Sequence, residues 1–470
     1  MQPPKEDDPN EKKFWAIDFT KVGQPGYLYQ AKARQLYEGD KCVIYAETTA
    51  GISIRTAEQF AREYSEKIYG VMLEYFCDKN FEVNYNGTKT TYADTLEYAF
   101  SLVDNQDKLI ILLLDIRDGY SGNGYVAGYF DPRNLYYGTN SNYKNMIYVD
   151  TNPGMNNQEE MFSTFAHELQ HLINYVTSIR IRPNGQSPYP HQMDTWIDEG
   201  LSLMAEYLYQ EKPLESRIRW FINDPMKTIA WGNNFYVWDN YDSGSFPNAV
   251  LDDYATAYLF FQWLYLQTEE DPALLKKIAA SGKYDYRAVT ENTGSIIPGG
   301  DNWETLLRTW LAANYINDPE NEYGYKGNEA FKNITVKPYL VTDNNSKIKL
   351  FPGEGVYSTI KSSFVLPAND SGENIRYAGL QKGLPFVSIS GPSYTGDSLL
   401  TFNKNTEGTA LESGYFTGED VPVTGRPAVR AVGNFPYPIR IDARDLMRRN
   451  GAPAQTESVP KKARLPADEH

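Results

Sequence analysis

The segment EEMFSTFAHELQHLINYV sets Met161, Phe165, Leu169, Leu172 and Val176 at helical spacing, with acidic residues in its first turn. A helix so patterned is buried, yet His167, Glu168 and His171 sit among its apolar residues. At 3.6 residues per turn the two histidines fall one turn apart on one face, within reach of one cation, with Glu168 beside them. H-E-x-x-H in that setting binds Zn²⁺ through both imidazoles and uses its glutamate as the general base that activates a metal-bound water. The plainer reading is two histidines decorating a core helix. A chance H-E-x-x-H at this composition arises on the order of once in a few hundred such chains, which sets that reading aside. The other histidines are His191 and His470.

A catalytic zinc needs a third protein ligand and an open position. The pattern H-E-x-x-H-x-x-G-x-x-H is excluded, because Asn174 and Thr177 stand where it requires glycine and histidine. In TWIDEGLSLMAEYLY, Glu199 opens an amphipathic helix and Glu206 follows seven residues later, two turns on and on the same face. One can ligate while the other orients; Asp198 and His191 are the remaining choices.

Around this core the texture is mixed. Short apolar stretches from Phe14 to Glu47 read as strands, KCVIYAET most clearly. Thr56 with Gln59 forms a capping-box signal for a helix running to about Phe76 with Phe60, Tyr64, Ile68 and Met72 inward. LIILLLDI reads as a buried strand, followed by a Gly-rich turn region and a further strand, NMIYVDT, and further helices are expected at about 196–210, 253–267, 272–280 and 303–315. From about 331, short runs such as ITVKPYLV, KIKLF and PFVSISG indicate a β-rich C-terminal domain, with a disordered tail beyond Asn450.

Composition narrows the partners. Sixty-one acidic against 45 basic residues give a net charge of −16, which repels phosphate backbones and argues against nucleic acid. The longest apolar run, Leu109 to Leu114, is far shorter than the roughly 20 residues of a membrane span. The polar start MQPPKEDDPNEK has no apolar core of a secretory signal and reads as a linker left after cleavage. Cys42 and Cys77 could pair or stay buried as thiols, and their spacing is not that of a metal site. Asp115, Asp118 and Asp131 flank Gly-rich turns; capping of the backbone is the reading preferred to calcium binding.

H-E-L-Q-H followed by W-I-D-E-G-L-S-x-x-A-E resembles the gluzincin pattern, in which the glutamate of an N/D-E-G segment is the third zinc ligand. A-H-E-L-Q-H-L-I-N-Y, L-L-L-D-I-R-D-G and G-Y-V-A-G-Y-F-D together are most similar to the hyicolysin family of bacterial metallopeptidases, over roughly residues 40 to 315. The resemblance implies an α+β, zincin-type catalytic domain at 14–325 after a flexible segment 1–13, with the β-rich domain at 331–445 and the tail at 450–470. It implies Glu199 as third ligand, Glu206 as a carboxylate orienting a ligand, Glu168 as base, protein or peptide substrates, and an extracytoplasmic location, secreted or surface-anchored. The oligomeric state is left open.

Two departures matter. The 28 positions from His171 to Glu199 exceed the spacing in the alanyl aminopeptidase branch, so a loop at about 180–194 folds out of the way. The G-x-M-E-N signature that holds a substrate's free amino terminus is absent, NPGMNN being a faint echo, which favours an endopeptidase. For the donor to the developing oxyanion, Tyr254 in DDYATAYLFFQWLY is similar to the tyrosine of the aminopeptidase Y-x-x-G segment; Tyr258 and His191 are the alternatives. Rival readings are an aminopeptidase or non-peptide hydrolase on the same metal, and a non-catalytic surface-binding protein.

Overall fold

The computed structural model of the chain describes residues 11–182, 193–236 and 250–336, apart from positions 23, 86, 104–105, 122–124, 180, 226–227 and 233–234. It also describes 338–340, 348–350, 352–359, 374–380, 398–406, 411–413 and 439–442. The described residues mix helix and strand.

The first strands, β1 (Glu11–Ile17), β2 (Leu28–Glu38) and β3 (Cys42–Glu47), form an antiparallel meander. Next come the helices α1 (Ile54–Glu63) and α2 (Tyr69–Tyr75), joined without a break by a π-helical turn at Tyr64–Ile68. The cap lies one turn earlier than the Thr56–Gln59 pattern suggests: Ser53 is the N-cap, and its hydroxyl accepts from the Thr56 N–H at 3.1 Å. Phe60, Tyr64, Ile68 and Met72 all point inward as their spacing requires. A hairpin, β4 (Lys79–Tyr85) and β5 (Thr88–Asp94), leads into α3 (Thr95–Ser101), capped by Asp94.

The strand β6 (Leu109–Leu114) is apolar and buried throughout because both its neighbours are parallel strands, β3 on one side and β8 (Met146–Asp150) on the other. Then β7 (Tyr125–Phe130) runs antiparallel to β8. Across the sheet, α4 (Gln158–Ser178) lies with every residue from Met161 to Thr177 buried. After the short β9 (Ile181–Arg182) come α5 (Thr195–Gln210), α6 (Glu215–Asn223), α7 (Thr228–Gly232), α8 (Val250–Gln267), α9 (Ala273–Ala279), α10 (Arg287–Thr293) and α11 (Trp303–Ile316). The helices expected from apolar spacing lie within a few residues of α5, α8, α9 and α11.

Beyond Thr359 and before it, short strands make a second sheet. β10 (Tyr339–Leu340), β12 (Gly355–Thr359), β13 (Ile375–Leu380) and β14 (Ser398–Asn403) form it in the order β10-β12-β14-β13, while β11 (Ile348–Leu350) pairs with β15 (Leu411–Ser413). This sheet is tied to α11 by the Tyr357 hydroxyl, which donates to the Leu311 carbonyl at 2.7 Å, and by Tyr315 to Ser398 at 2.6 Å. The last strand, β16 (Ile439–Asp442), adds antiparallel to the outer edge of β7, so the main sheet reads β1-β2-β3-β6-β8-β7-β16. PFVSISG and the tail beyond Asn450 lie outside the described residues. Among the described residues, no helix is long and apolar enough to cross a membrane. Cys42 and Cys77 are separate, buried thiols.

Two glycines set the helix spacing around the polar centre. A Cβ at Gly128 on β7 would stand 2.6 Å from Thr164 Cγ2 and 3.1 Å from Glu168 Cγ, so only glycine lets α4 approach this strand. A Cβ at Gly200 on α5 would lie 2.3 Å from Phe261 Cδ2, which brings α5 and α8 into close contact. Trp196 anchors the first turn of α5 among Phe235, Phe260, Phe261 and Trp303.

Candidate metal centre

The helix α4 owes its position to its apolar residues, and the polar face this leaves toward α5 carries His167 and His171. Their rings lie 4.7 Å apart, centroid to centroid, nearly edge to face. Glu199, in the second turn of α5, brings Oε2 to 3.2 Å from His167 Nε2 and 3.7 Å from His171 Nε2. These atoms lack the alignment of hydrogen bonds, and all three are buried without a hydrogen-bond partner. One donor atom from each residue lies within 4.8 Å of the others. Three buried polar atoms converging in this way carry a cost unless something binds them, and two imidazole nitrogens with one carboxylate oxygen are a donor set for a divalent metal. The residues therefore fit a metal ion.

The far side of each ring is also fixed. His167 Nδ1 meets Glu206 Oε1 at 2.8 Å, and His171 Nδ1 meets Asp198 Oδ1 at 2.9 Å with Ser202 Oγ at 3.1 Å. With Nδ1 protonated, each ring donates to its carboxylate and turns Nε2 toward Glu199. Asp198 is fixed in turn by Asn174 Nδ2 at 2.6 Å, and Gln170 Nε2 donates to Asn174 Oδ1 at 2.7 Å. Burial disfavours charge on His167, but Glu199 and Glu206 prevail and raise its pKa. For His171 burial is likewise outweighed by Asp198 and Glu199, which push the pKa up to about 9.

Of the residues singled out in the sequence, His167, Glu168, His171, Glu199 and Glu206 come together, all buried. Tyr254 on α8 joins them, its hydroxyl donating to Glu199 Oε1 at 3.2 Å. Tyr258, one turn on, is turned elsewhere: its hydroxyl oxygen accepts from the Leu214 N–H at 2.9 Å and bonds Gln262 at 3.1 Å, and burial raises its pKa. His191 lies outside the described residues. Two of the three turn aspartates serve the backbone. Asp118 accepts from the N–H groups of Tyr120 and Val126, and Asp131 caps its turn while pairing with Arg133.

The partners that sequence reasoning missed are Asp198 in its orienting role, Asn174 and Ser202. A signal existed for the first. An imidazole that ligates through Nε2 needs an acceptor for Nδ1, and Asp198 stands beside Glu199 in the same helical turn.

A buried helix bearing H-E-x-x-H, with its histidines met by a glutamate from the next long helix, presents a donor set that could hold a metal ion. The chain is similar to the neutral metalloprotease ShpI of Staphylococcus hyicus, with 34% identity over 243 residues covering 50% of this chain and 52% of that protein. The chain thus spans about half the length of the curated relative it matches. No family model matches the chain.

Proposed function

We propose that the chain is a zinc metalloendopeptidase of zincin (gluzincin) type that hydrolyses peptide bonds of proteins. The observation that carries this reading is the convergence of His167, His171 and Glu199 with Glu168 one residue along the same helix from His167. His167 and His171 would hold the ion through Nε2 and Glu199 through Oε2, with Glu206 and Asp198 keeping the rings oriented. Zinc in such a site supplies Lewis acidity to water and to a carbonyl oxygen. Glu168 takes the proton from the attacking water and returns it to the leaving amine as the C–N bond breaks. The Tyr254 hydroxyl, already aimed at the ligand cluster, donates to the carbonyl oxygen as negative charge grows there; His191 is the alternative donor. The catalytic unit is residues 14–325, whose sheet also takes up β16, and the β-rich unit is the rest of 331–445; the location is extracytoplasmic on the resemblance alone.

Glu168→Gln preserves the side chain's shape and removes its proton acceptor. The purified variant should keep stoichiometric zinc while turnover of unfolded casein falls about 10²–10⁴-fold. Cleavage at the parent rate would sink the assignment. Peptides blocked at the amino terminus should be cut as readily as free ones; cleavage of free peptides alone would make the chain an aminopeptidase.

A further inference from the structure

Four carboxylates, Glu168, Asp198, Glu199 and Glu206, are buried around the candidate metal centre. Among the described residues, one lysine or arginine side chain is buried: Arg217, 5% exposed, in the first turn of α6. Its guanidinium carbon stands 4.8 Å from the centroid of the Tyr254 ring. The helix that carries it is fixed to α8 on both sides of this contact. The Leu214 N–H donates to the Tyr258 hydroxyl at 2.9 Å, and Trp220 Nε1 donates to Asp252 Oδ1 at 2.5 Å. Arg217 and Tyr254 are therefore held face to face by their elements and not by side-chain chance.

Burying a guanidinium is costly, and a cation over an aromatic face recovers part of that cost by attraction to the ring's electrons. The same attraction draws density away from the phenol oxygen and makes its O–H a stronger donor. We propose that Arg217 is a positioning residue for peptide hydrolysis: its charge fixes Tyr254 against Glu199 and strengthens the hydroxyl that donates to the scissile carbonyl oxygen. This rests on the reading of Tyr254 as that donor. Arg217 acts through Tyr254 and needs no contact of its own with the substrate.

The test uses the full chain as Arg217→Met, Arg217→Lys, Tyr254→Phe and the Met/Phe double variant. Kinetics are measured on an end-blocked peptide, and ¹⁹F spectra are recorded with 3-fluorotyrosine at position 254 in the metal-free protein. A desolvated cation–π contact predicts a fall in kcat of about tenfold for Arg217→Met, with KM moved less than about twofold. Arg217→Lys should return kcat to within about threefold of the parent and restore the fluorine resonance that Arg217→Met displaces. In the Tyr254→Phe background, Arg217→Met should cost less than about twofold more. Should the methionine variant fail to fold, Arg217→Gln replaces it under the same ratios. An unchanged kcat for Arg217→Met, or its full effect repeated on top of Tyr254→Phe, overturns the inference while leaving the role of Tyr254 intact. Tyr254→Phe at the parent rate removes that role and the inference with it.

Discussion

Neutralising Asp198 without altering its shape should change how metal affinity depends on pH. In the metal-free protein His171 has a pKa near 9, because Asp198 and Glu199 outweigh the burial that opposes its charge. At pH 7 the ring therefore carries a proton on Nε2, the atom that faces Glu199, and a metal must displace it. Two pH units below the pKa amount to about a 100-fold competition, or about 2.7 kcal/mol, and the raised pKa of His167 adds in the same direction. The apparent zinc association constant of the parent should rise at least about tenfold per pH unit between pH 6 and 8.

Asp198→Asn keeps an oxygen for His171 Nδ1 and Asn174 Nδ2 but removes the charge. It should weaken binding about 10–100-fold at pH 8 by leaving a less basic ligand. It also lowers the proton affinity of His171, so its titration should be shallower and converge on the parent curve toward pH 6. Competition against a chromophoric chelator in buffers from pH 6 to 8 measures both slopes. A flat parent profile, or a variant curve parallel to the parent's, would refute the reasoning. The same shift bears on the metal-free fold. His171 stabilises it fully below its unfolded pKa of about 6.5, and this contribution is lost as pH rises through about 9, so the metal-free unfolding midpoint should fall over that interval.

Three substitutions test the rest of the site. Glu199→Ala should abolish co-purification of zinc, measured by elemental analysis; full retention would move the third ligand to Glu206, Asp198 or His191. Gly200→Ala puts a methyl 2.3 Å from Phe261 Cδ2, so overpacking of about 1–3 kcal/mol is set against about 1 kcal/mol of gained helix propensity. A lower urea midpoint is expected, partly restored by Phe261→Leu, and a variant as stable as the parent contradicts the packing account. Gly128→Ala presses on Thr164 Cγ2 and Glu168 Cγ, and a shift of the base by even part of an ångström should cut kcat at least about tenfold with zinc content unchanged. An unaltered kcat would show that the contact of β7 with α4 does not place Glu168.

Much of the frame is legible in the sequence wherever one period dominates. The apolar spacing through Met161, Phe165 and Leu169 marks α4, and the unbroken LIILLL marks the strand flanked by parallel neighbours. The candidate metal ligands His167 and His171 are readable for the same reason, since both lie on one helix at a fixed spacing. Less visible are short elements specified by turns and hairpin pairing, such as β4, β5 and α3, whose Asp94 cap stands before too few apolar residues to show a period. Partner choice through space is hidden too. Glu206 and Asp198 are both acids on α5, and only the packing of α5 on α4 gives one to His167 and the other to His171. Tyr254 and Tyr258 differ by one turn, and their fates separate only once α6 claims the second hydroxyl.

The two helices that supply the donor atoms carry ligands 28 positions apart in the sequence, at 171 and 199, and between them they seal several acidic groups from water. An ion bound there works as a rivet as well as a reagent: at a thousand times its Kd it would add about 4 kcal/mol to the folded state. A copy stripped of its ion loses its reactivity and its brace together. It would open more often, so occupancy of one buried point would set how long the fold lasts.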